Sequence, residues 1–92
     1  IDETKRGEDF LSLGNLYFHK KDYKMAEKWY LESEKLGFLE AKYNLGYVYY
    51  EIGNFEKALE FYKKVAEKES EIYFIKVAKE KVLELSLKNK EM

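Results

Sequence analysis

The strongest constraint on the fold of this chain is an internal repeat with a period of 32 residues. When residues 7–38 are placed over residues 39–70, small and aromatic residues fall on residues of the same kind. The matched pairs are Leu13 with Leu45, Gly14 with Gly46, Tyr17 with Tyr49, Phe18 with Tyr50, Tyr23 with Phe55, Ala26 with Ala58, and Tyr30 with Tyr62. A repeat of this length is one supersecondary unit, and it buries its apolar face by stacking against the next repeat.

Each repeat is predicted to be a hairpin of two antiparallel helices. Gly14 precedes Ala26 by 12 residues, and Gly46 precedes Ala58 by the same number. Small residues at these positions let two helices approach closely, so Gly14 and Gly46 are predicted contact sites within their hairpins. The chain has no proline, and its many Lys, Glu and Leu residues favour helix throughout. Five helices and no sheet are therefore predicted, at about residues 5–19, 23–36, 39–52, 55–68 and 71–88.

The residues between the helices agree with this interpretation. In the second repeat Gly53 offers a left-handed residue that ends one helix, and Asn54 offers an N-cap for the next. In the first repeat Asp22 takes the capping position, but Lys21 stands where the second repeat has Gly53. A side chain at such a position is disfavoured, so the first turn is predicted to be strained. Gly37 is predicted to end the second helix.

The last predicted helix continues the repeat without completing it. In the same register Val77 and Ala78 take the places of Leu13 and Gly14, which predicts a third copy of the first helix of a hairpin. Its far end becomes polar, as a terminal element of a repeat stack must be for solubility. Residues 1–92 are thus predicted to form one domain, with repeats at about 7–38 and 39–70 and a capping helix at about 71–88.

The repeated pattern resembles that of the tetratricopeptide repeat (TPR) family. It is carried by Phe10, Leu13, Gly14, Tyr17, Ala26 and Tyr30 in the first repeat, and by Leu45, Gly46, Tyr49, Ala58 and Tyr62 in the second. The pair Trp29-Tyr30 and residues 35–41 are also similar to a related TPR-like class. The resemblance implies an all-α, right-handed α-solenoid of two antiparallel hairpins plus a C-terminal capping helix. It also implies that the first helix of each hairpin lines a concave, protein-binding groove.

Aromatic residues are prominent at the positions that the resemblance places in or beside this groove. The predicted peptide-binding residues are Leu11, Asn15, Phe18, Tyr43, Asn44, Tyr47, Tyr50, Ile75, Lys76 and Lys79. Tyr43, Tyr47 and Tyr50 follow one another at spacings of four and three, which puts them on one helical stripe. Two interpretations stay open for these tyrosines, namely packing between repeats or a platform for apolar side chains of a peptide. Tyrosine suits a platform because it offers a large contact area and a hydroxyl group.

A second kind of site in the same groove is less favoured. Some family members hold the C-terminal carboxylate of a peptide between paired asparagines and lysines. Asn15, Asn44 and Lys76 fit part of that arrangement, but Leu11 stands where its first lysine would be. The remaining positive charge is too small to offset the desolvation of a carboxylate.

Composition excludes several other classes of function. The net charge is −1 with both signs interleaved, whereas a nucleic-acid binder needs a basic stripe. There are no cysteines, and His19 is the sole histidine, so neither a metal site nor a nucleophile with its base is predicted. The five glycines do not form a phosphate-binding loop. We therefore expect no enzyme, no cofactor and no membrane partner. No secretory signal is visible, so a cytoplasmic location is the default expectation, although a removed signal or anchor would leave no trace.

These observations predict a scaffold that binds a peptide or helix of a partner protein. The alternative is a self-associating repeat, or part of a longer solenoid. It stays open because fewer than three full repeats bury a continuous core poorly.

Overall fold

The computed structural model describes residues 3–67 and 73–91. In those ranges the chain is helical without strands, as the sequence predicts, and each observed helix agrees with a predicted one to within a few residues. The helices are α1 (Glu3–His19), α2 (Tyr23–Lys35), α3 (Leu39–Glu51), α4 (Phe55–Ala66) and α5 (Tyr73–Glu91).

Consecutive helices pack against each other throughout the stack. Contacts join α1 to α2, α2 to α3, α3 to α4, and α4 to α5. The connections at 20–22, 36–38 and 52–54 are so short that neighbouring helices must run antiparallel. The core lies along these seams and consists of Ala26, Tyr30, Leu45, Val48, Tyr49, Ala58, Tyr62, Val65, Ile75, Ala78 and Leu85. The described residues thus form an all-α repeat solenoid of two hairpins followed by a last helix.

The two helices of each hairpin meet where a tyrosine ring covers a glycine. A Cβ atom added to Gly46 would lie 2.8 Å from the nearest ring atom of Tyr62, and Gly14 is covered in the same way by the ring of Tyr30. Both tyrosines are buried. The predicted close contacts at the two glycines are confirmed. Each glycine accommodates an aromatic ring, which the pairing of small residues in the sequence did not specify.

The two helices that follow the intra-hairpin turns, α2 and α4, have the N-caps that the sequence predicts. The carboxylate of Asp22 accepts a hydrogen bond from the backbone N–H of Met25 at 3.3 Å. The side chain of Asn54 accepts one from the N–H of Lys57 at 3.2 Å. Each bond satisfies a donor that the first turn of a helix leaves without a partner, which fixes where α2 and α4 begin.

The same two turns place different residues in the left-handed region of backbone conformation. In the second turn Gly53 has a φ of 84°, and in the connection between the hairpins Gly37 has a φ of 89°, which glycine adopts at little cost. Lys21 has a φ of 64°, and it is the one residue other than glycine with a positive φ in the described chain. The predicted strain in the first turn is therefore confirmed.

Helix α5 departs from the register that the sequence predicts. Its buried residues are Ile75, Ala78 and Leu85, and because α5 contacts α4 and, less, α3, this face points toward them. A third copy of α3 would instead bury position 80, the equivalent of the buried Val48, but Glu80 is exposed. A charged residue is almost never buried without a partner, so α5 turns another, wholly apolar stripe toward α4. The prediction that α5 packs like the first helix of a hairpin is wrong.

Replacing Gly46 with leucine is expected to lower the free energy of unfolding by about 1–3 kcal/mol, because the added side chain displaces the Tyr62 ring from a packed core. Urea denaturation followed by circular dichroism at 222 nm measures this change. Glu51→Leu places the same side chain on an exposed position of α3, and it should shift stability by no more than about 0.5 kcal/mol. Equal stability of the two variants would contradict the glycine–tyrosine contact.

Lys21→Gly should stabilise the protein. Glycine adopts the left-handed conformation without the strain that lysine has there, and this gain exceeds the cost of glycine's greater freedom in the unfolded chain. The free energy of unfolding should therefore rise by about 0.5–1 kcal/mol. The matched control is the reverse exchange, Gly53→Lys, at the equivalent turn, which should destabilise the fold. The midpoints of urea denaturation of both variants provide the test, and a lower midpoint for Lys21→Gly would refute the strain at this turn.

Candidate functional site

An open cleft lies between α1 and α3, where the first repeat meets the second. Its volume is about 200 Å³, and its lining residues are Asn15, Phe18, His19, Tyr30, Tyr43, Asn44 and Tyr47. Half of the predicted groove residues converge here, namely Asn15, Phe18, Tyr43, Asn44 and Tyr47. The lining combines aromatic rings with two carboxamides and one imidazole.

A hydrogen-bonded network of three residues forms the polar part of the cleft. The hydroxyl of Tyr30 donates to Oδ1 of Asn15 at 2.5 Å. The Nδ2 amide of Asn44 donates to the same oxygen at 3.3 Å. A phenol is already protonated at neutral pH at its ordinary pKa, and burial, followed by the negative charge of Glu40, raises the pKa of Tyr30 further, so the hydroxyl remains a donor. The network ties α1, α2 and α3 together at the cleft.

Aromatic rings form an aromatic wall of the cleft beside the carboxamides. The ring of Tyr47 stands edge-on to that of Phe18, with 5.2 Å between centroids. It also stands edge-on to that of Tyr43 at 6.5 Å. Tyr43 in turn leans on the buried Tyr62 at 5.7 Å. Edge-to-face arrangements of this kind are favourable. They fix the orientation of the Tyr47 ring although 40% of the residue remains exposed.

Tyr50, the third tyrosine of the predicted stripe, lies outside the cleft. Its ring packs on Phe55 at 5.4 Å. The ammonium group of Lys81 sits over the Tyr50 ring at 4.7 Å, and that of Lys88 at 5.7 Å. Helix α5 therefore covers this end of the stripe, and Tyr50 takes part in packing between elements.

The other predicted groove residues are also placed away from the cleft. Leu11 is half-buried and packs against the core. Ile75 is buried against the preceding helices because α5 turns this face inward, so the prediction that Ile75 lines the groove is wrong. Lys76 and Lys79 are exposed on α5 and do not line the cleft.

Tyr30 is the cleft residue that sequence reasoning missed. It belongs to the second helix of its hairpin, whereas the groove was predicted on first helices only. Gly14 lets its ring lie against α1, which brings the hydroxyl to Asn15, the next residue. The sequence does contain a signal for this contact. Asn15 directly follows Gly14, and Tyr30 is one of the tyrosines that the repeat matches between the two hairpins.

A second tyrosine stabilises the junction of the repeats away from the cleft. The hydroxyl of Tyr49 on α3 donates to Oε2 of Glu27 on α2 at 2.5 Å. The ammonium group of Lys57 lies 5.0 Å from the centroid of the same ring. Burial, followed by the bond to Glu27, raises the pKa of Tyr49. The contact fastens α2 to α3.

Other kinds of site find no support in residues 3–67 and 73–91. In these ranges no group of three or more His, Cys, Asp or Glu residues is placed to hold a metal ion. None of the helices there combines the length and the apolar composition that crossing a bilayer requires.

Comparison with known proteins gives matches to one family in two segments. Residues 10–36 and residues 39–71 each match a family model described as a tetratricopeptide repeat. The two segments together make up more than half of the chain and coincide with the two hairpins. No curated protein sequence matches the chain.

The buried tyrosines predict that the protein loses stability in base. Burial raises the pKa values of Tyr30, Tyr49 and Tyr62 above the ordinary value of 10.0. Above that pH the unfolded chain releases protons that the folded chain retains, so stability is complete below it and falls as the pH rises. Urea denaturation from about pH 8 to about pH 11 measures the effect.

Single phenylalanine variants provide the control for this pH dependence. Tyr62→Phe and Tyr30→Phe should each reduce the slope of stability against pH, because one titrating group is lost. Tyr30→Phe should also cost about 0.5–1.5 kcal/mol at neutral pH, since its bond to Asn15 is lost. An unchanged slope in both variants would show that these phenols do not titrate differently in the folded state.

Proposed function

Since the chain belongs to the tetratricopeptide repeat family, we propose that it binds a segment of a partner protein in the cleft between α1 and α3. Repeats of this family generally mediate protein–protein interactions and are not catalytic. The partner segment lies along the aromatic wall and inserts a side chain between the rings and the carboxamides. In this proposal residues 1–92 act as one domain. The cytoplasmic location and the right-handed superhelix are predictions from the sequence.

The observation that carries the proposal is the convergence of predicted groove residues from two helices into one open cleft. Core packing accounts for Tyr30, Tyr43 and Tyr62, which are buried or packed on the core. It does not account for Tyr47, which stays 40% exposed at the centre of the aromatic wall. A partly exposed aromatic ring held between other rings is a typical anchor for a peptide side chain.

The proposal is tested with peptides selected from a random phage-displayed library on the wild-type protein. Tyr47→Ala should weaken the affinity of the selected peptides by roughly tenfold or more, because an aromatic contact at the centre of the interface is lost. Isothermal titration calorimetry measures the affinity, and circular dichroism checks that the variant stays folded. Tyr47→Phe should retain most of the binding, because the ring remains.

Ile52→Ala is the matched control. Ile52 is another exposed apolar residue at the end of α3, 53% accessible, and it does not line the cleft. Its loss should leave peptide affinity unchanged. Peptides that bind Tyr47→Ala and the wild type equally would place the interaction elsewhere and overturn the proposal.

Self-association is a second candidate function, favoured by leucines on the terminal helices. Leu83 and Leu87 on α5 are 68% and 59% exposed, and Leu16 on α1 is 49% exposed. Leu83 and Leu87 are four residues apart and so lie on one face of α5. These leucines form an exposed apolar surface at each end of the described stack, which a second copy of the chain could cover.

Sedimentation velocity over a wide range of protein concentrations tests the second candidate. If it holds, the mass rises with concentration in the wild type, and the double variant Leu83→Lys, Leu87→Lys remains a monomer. The control Ile52→Lys should behave as the wild type. A wild-type mass that stays at one chain throughout would exclude this function.

A further inference from the structure

We infer that the cleft recognises an uncharged carboxamide, the side chain of a glutamine or asparagine in the partner segment, in preference to a carboxylate. The inference rests on the proposed function, because it names the chemistry of the side chain that enters the same cleft. It follows from the hydrogen-bonding groups that the cleft leaves without partners and from the absence of lysine and arginine among its lining residues.

The hydrogen-bond network determines which polar groups remain available. Oδ1 of Asn15 accepts from both Tyr30 and Asn44, which occupies its two lone pairs. The groups left over are the Nδ2 amide of Asn15, a donor, and Oδ1 of Asn44, an acceptor. Neither of them has a hydrogen-bond partner among the described residues. Reversing both side-chain amides would again leave one donor and one acceptor.

One donor beside one acceptor matches a carboxamide. A glutamine or asparagine side chain offers a carbonyl oxygen and an amide N–H on the same planar group. Its oxygen accepts from Nδ2 of Asn15, and its amide donates to Oδ1 of Asn44. The rings of Phe18, Tyr43 and Tyr47 can enclose the methylene stem. The cleft of about 200 Å³ is smaller than the roughly 300–1,000 Å³ of pockets for whole small molecules, which fits one side chain.

A carboxylate fits the same place poorly. It has two acceptor oxygens and no donor, so one oxygen would face Oδ1 of Asn44. None of the lining residues is a lysine or arginine. The negative charge of Glu40 already acts on Tyr30. A carboxylate would lose its hydration there without gaining the permanent counter-charge of a lysine or arginine, which is unfavourable.

A purely apolar side chain is also a poorer occupant. It would exclude water from the Nδ2 amide of Asn15 and from Oδ1 of Asn44 without replacing the hydrogen bonds of that water. Leaving such groups shielded and unpaired is costly. The cleft therefore disfavours both a carboxylate side chain and a side chain without polar atoms.

The test uses three small probes of nearly equal size, namely propionamide, propionate and 2-butanone, titrated into the uniformly ¹⁵N-labelled protein. The side-chain amide resonances of Asn15 and Asn44 and the backbone resonances of α1 and α3 report binding. Propionamide should shift these resonances saturably, with an affinity at least about tenfold above that of propionate. The ketone 2-butanone, which only accepts, should bind more weakly than propionamide.

The double variant Asn15→Leu, Asn44→Leu provides the variant arm. It removes both carboxamides, because Asn44→Leu alone would free a lone pair on Oδ1 of Asn15 as a substitute acceptor. Propionamide should then lose its advantage over 2-butanone, while Ile52→Ala should retain it. Circular dichroism confirms that both proteins are folded. Loss of the advantage in the double variant but not in Ile52→Ala assigns the preference to the carboxamide pair.

Three outcomes would overturn the inference. The first is equal or tighter binding of propionate, the second is equal binding of 2-butanone, and the third is no saturable shift at the cleft with any probe. None of them decides the proposed function, which stands or falls with the effect of Tyr47→Ala on library-selected peptides. Peptides that depend on Tyr47 but tolerate glutamate as well as glutamine would leave the binding site in place and refute the carboxamide preference.

Discussion

The packing of a tyrosine ring on a glycine backbone determines both the hairpin and the shape of the cleft between α1 and α3. With no Cβ at Gly14 or Gly46, the facing helix approaches closely enough for the ring of Tyr30 or Tyr62 to lie flat against α1 or α3. A buried phenol needs a hydrogen-bond partner, and in the first repeat the hydroxyl of Tyr30 finds it in Asn15 of α1, at the cleft. The polar centre of the cleft is thus a consequence of core packing.

The two repeats use the same glycine–tyrosine contact with different results. In the first repeat the residue after the glycine is Asn15, which accepts the bond from Tyr30. In the second repeat that position is Tyr47. Burial first, and then the neighbouring phenols, raise the pKa of Tyr62. The equivalent of Asn44 in the next register is Lys76, which is exposed on a helix that packs differently. Among the described residues the carboxamide pair therefore forms once, at the junction of the repeats.

Local signals explain what the sequence could predict, and non-local packing explains what it could not. Helix ends, caps and the strain at Lys21 depend on a few adjacent residues, and the repeat register was enough to place Asn15, Asn44 and Tyr47 near one another. The orientation of α5 depends on which of its faces is most apolar and on the surface of α4. Ile75 was consequently assigned to the groove although it is buried.

The packing of α5 also limits how far the groove extends. Lys81 and Lys88 lay their ammonium groups over Tyr50, and Lys88 also reaches Phe55 at 5.1 Å. Long lysine stems can cover apolar surface while their charged ends stay hydrated, so α5 closes this part of the stripe without burying a charge. Among the described residues, the aromatic surface left open ends at Tyr47. In the proposed function the deepest contact of a partner segment therefore lies at the junction of α1 and α3, where the carboxamides lie.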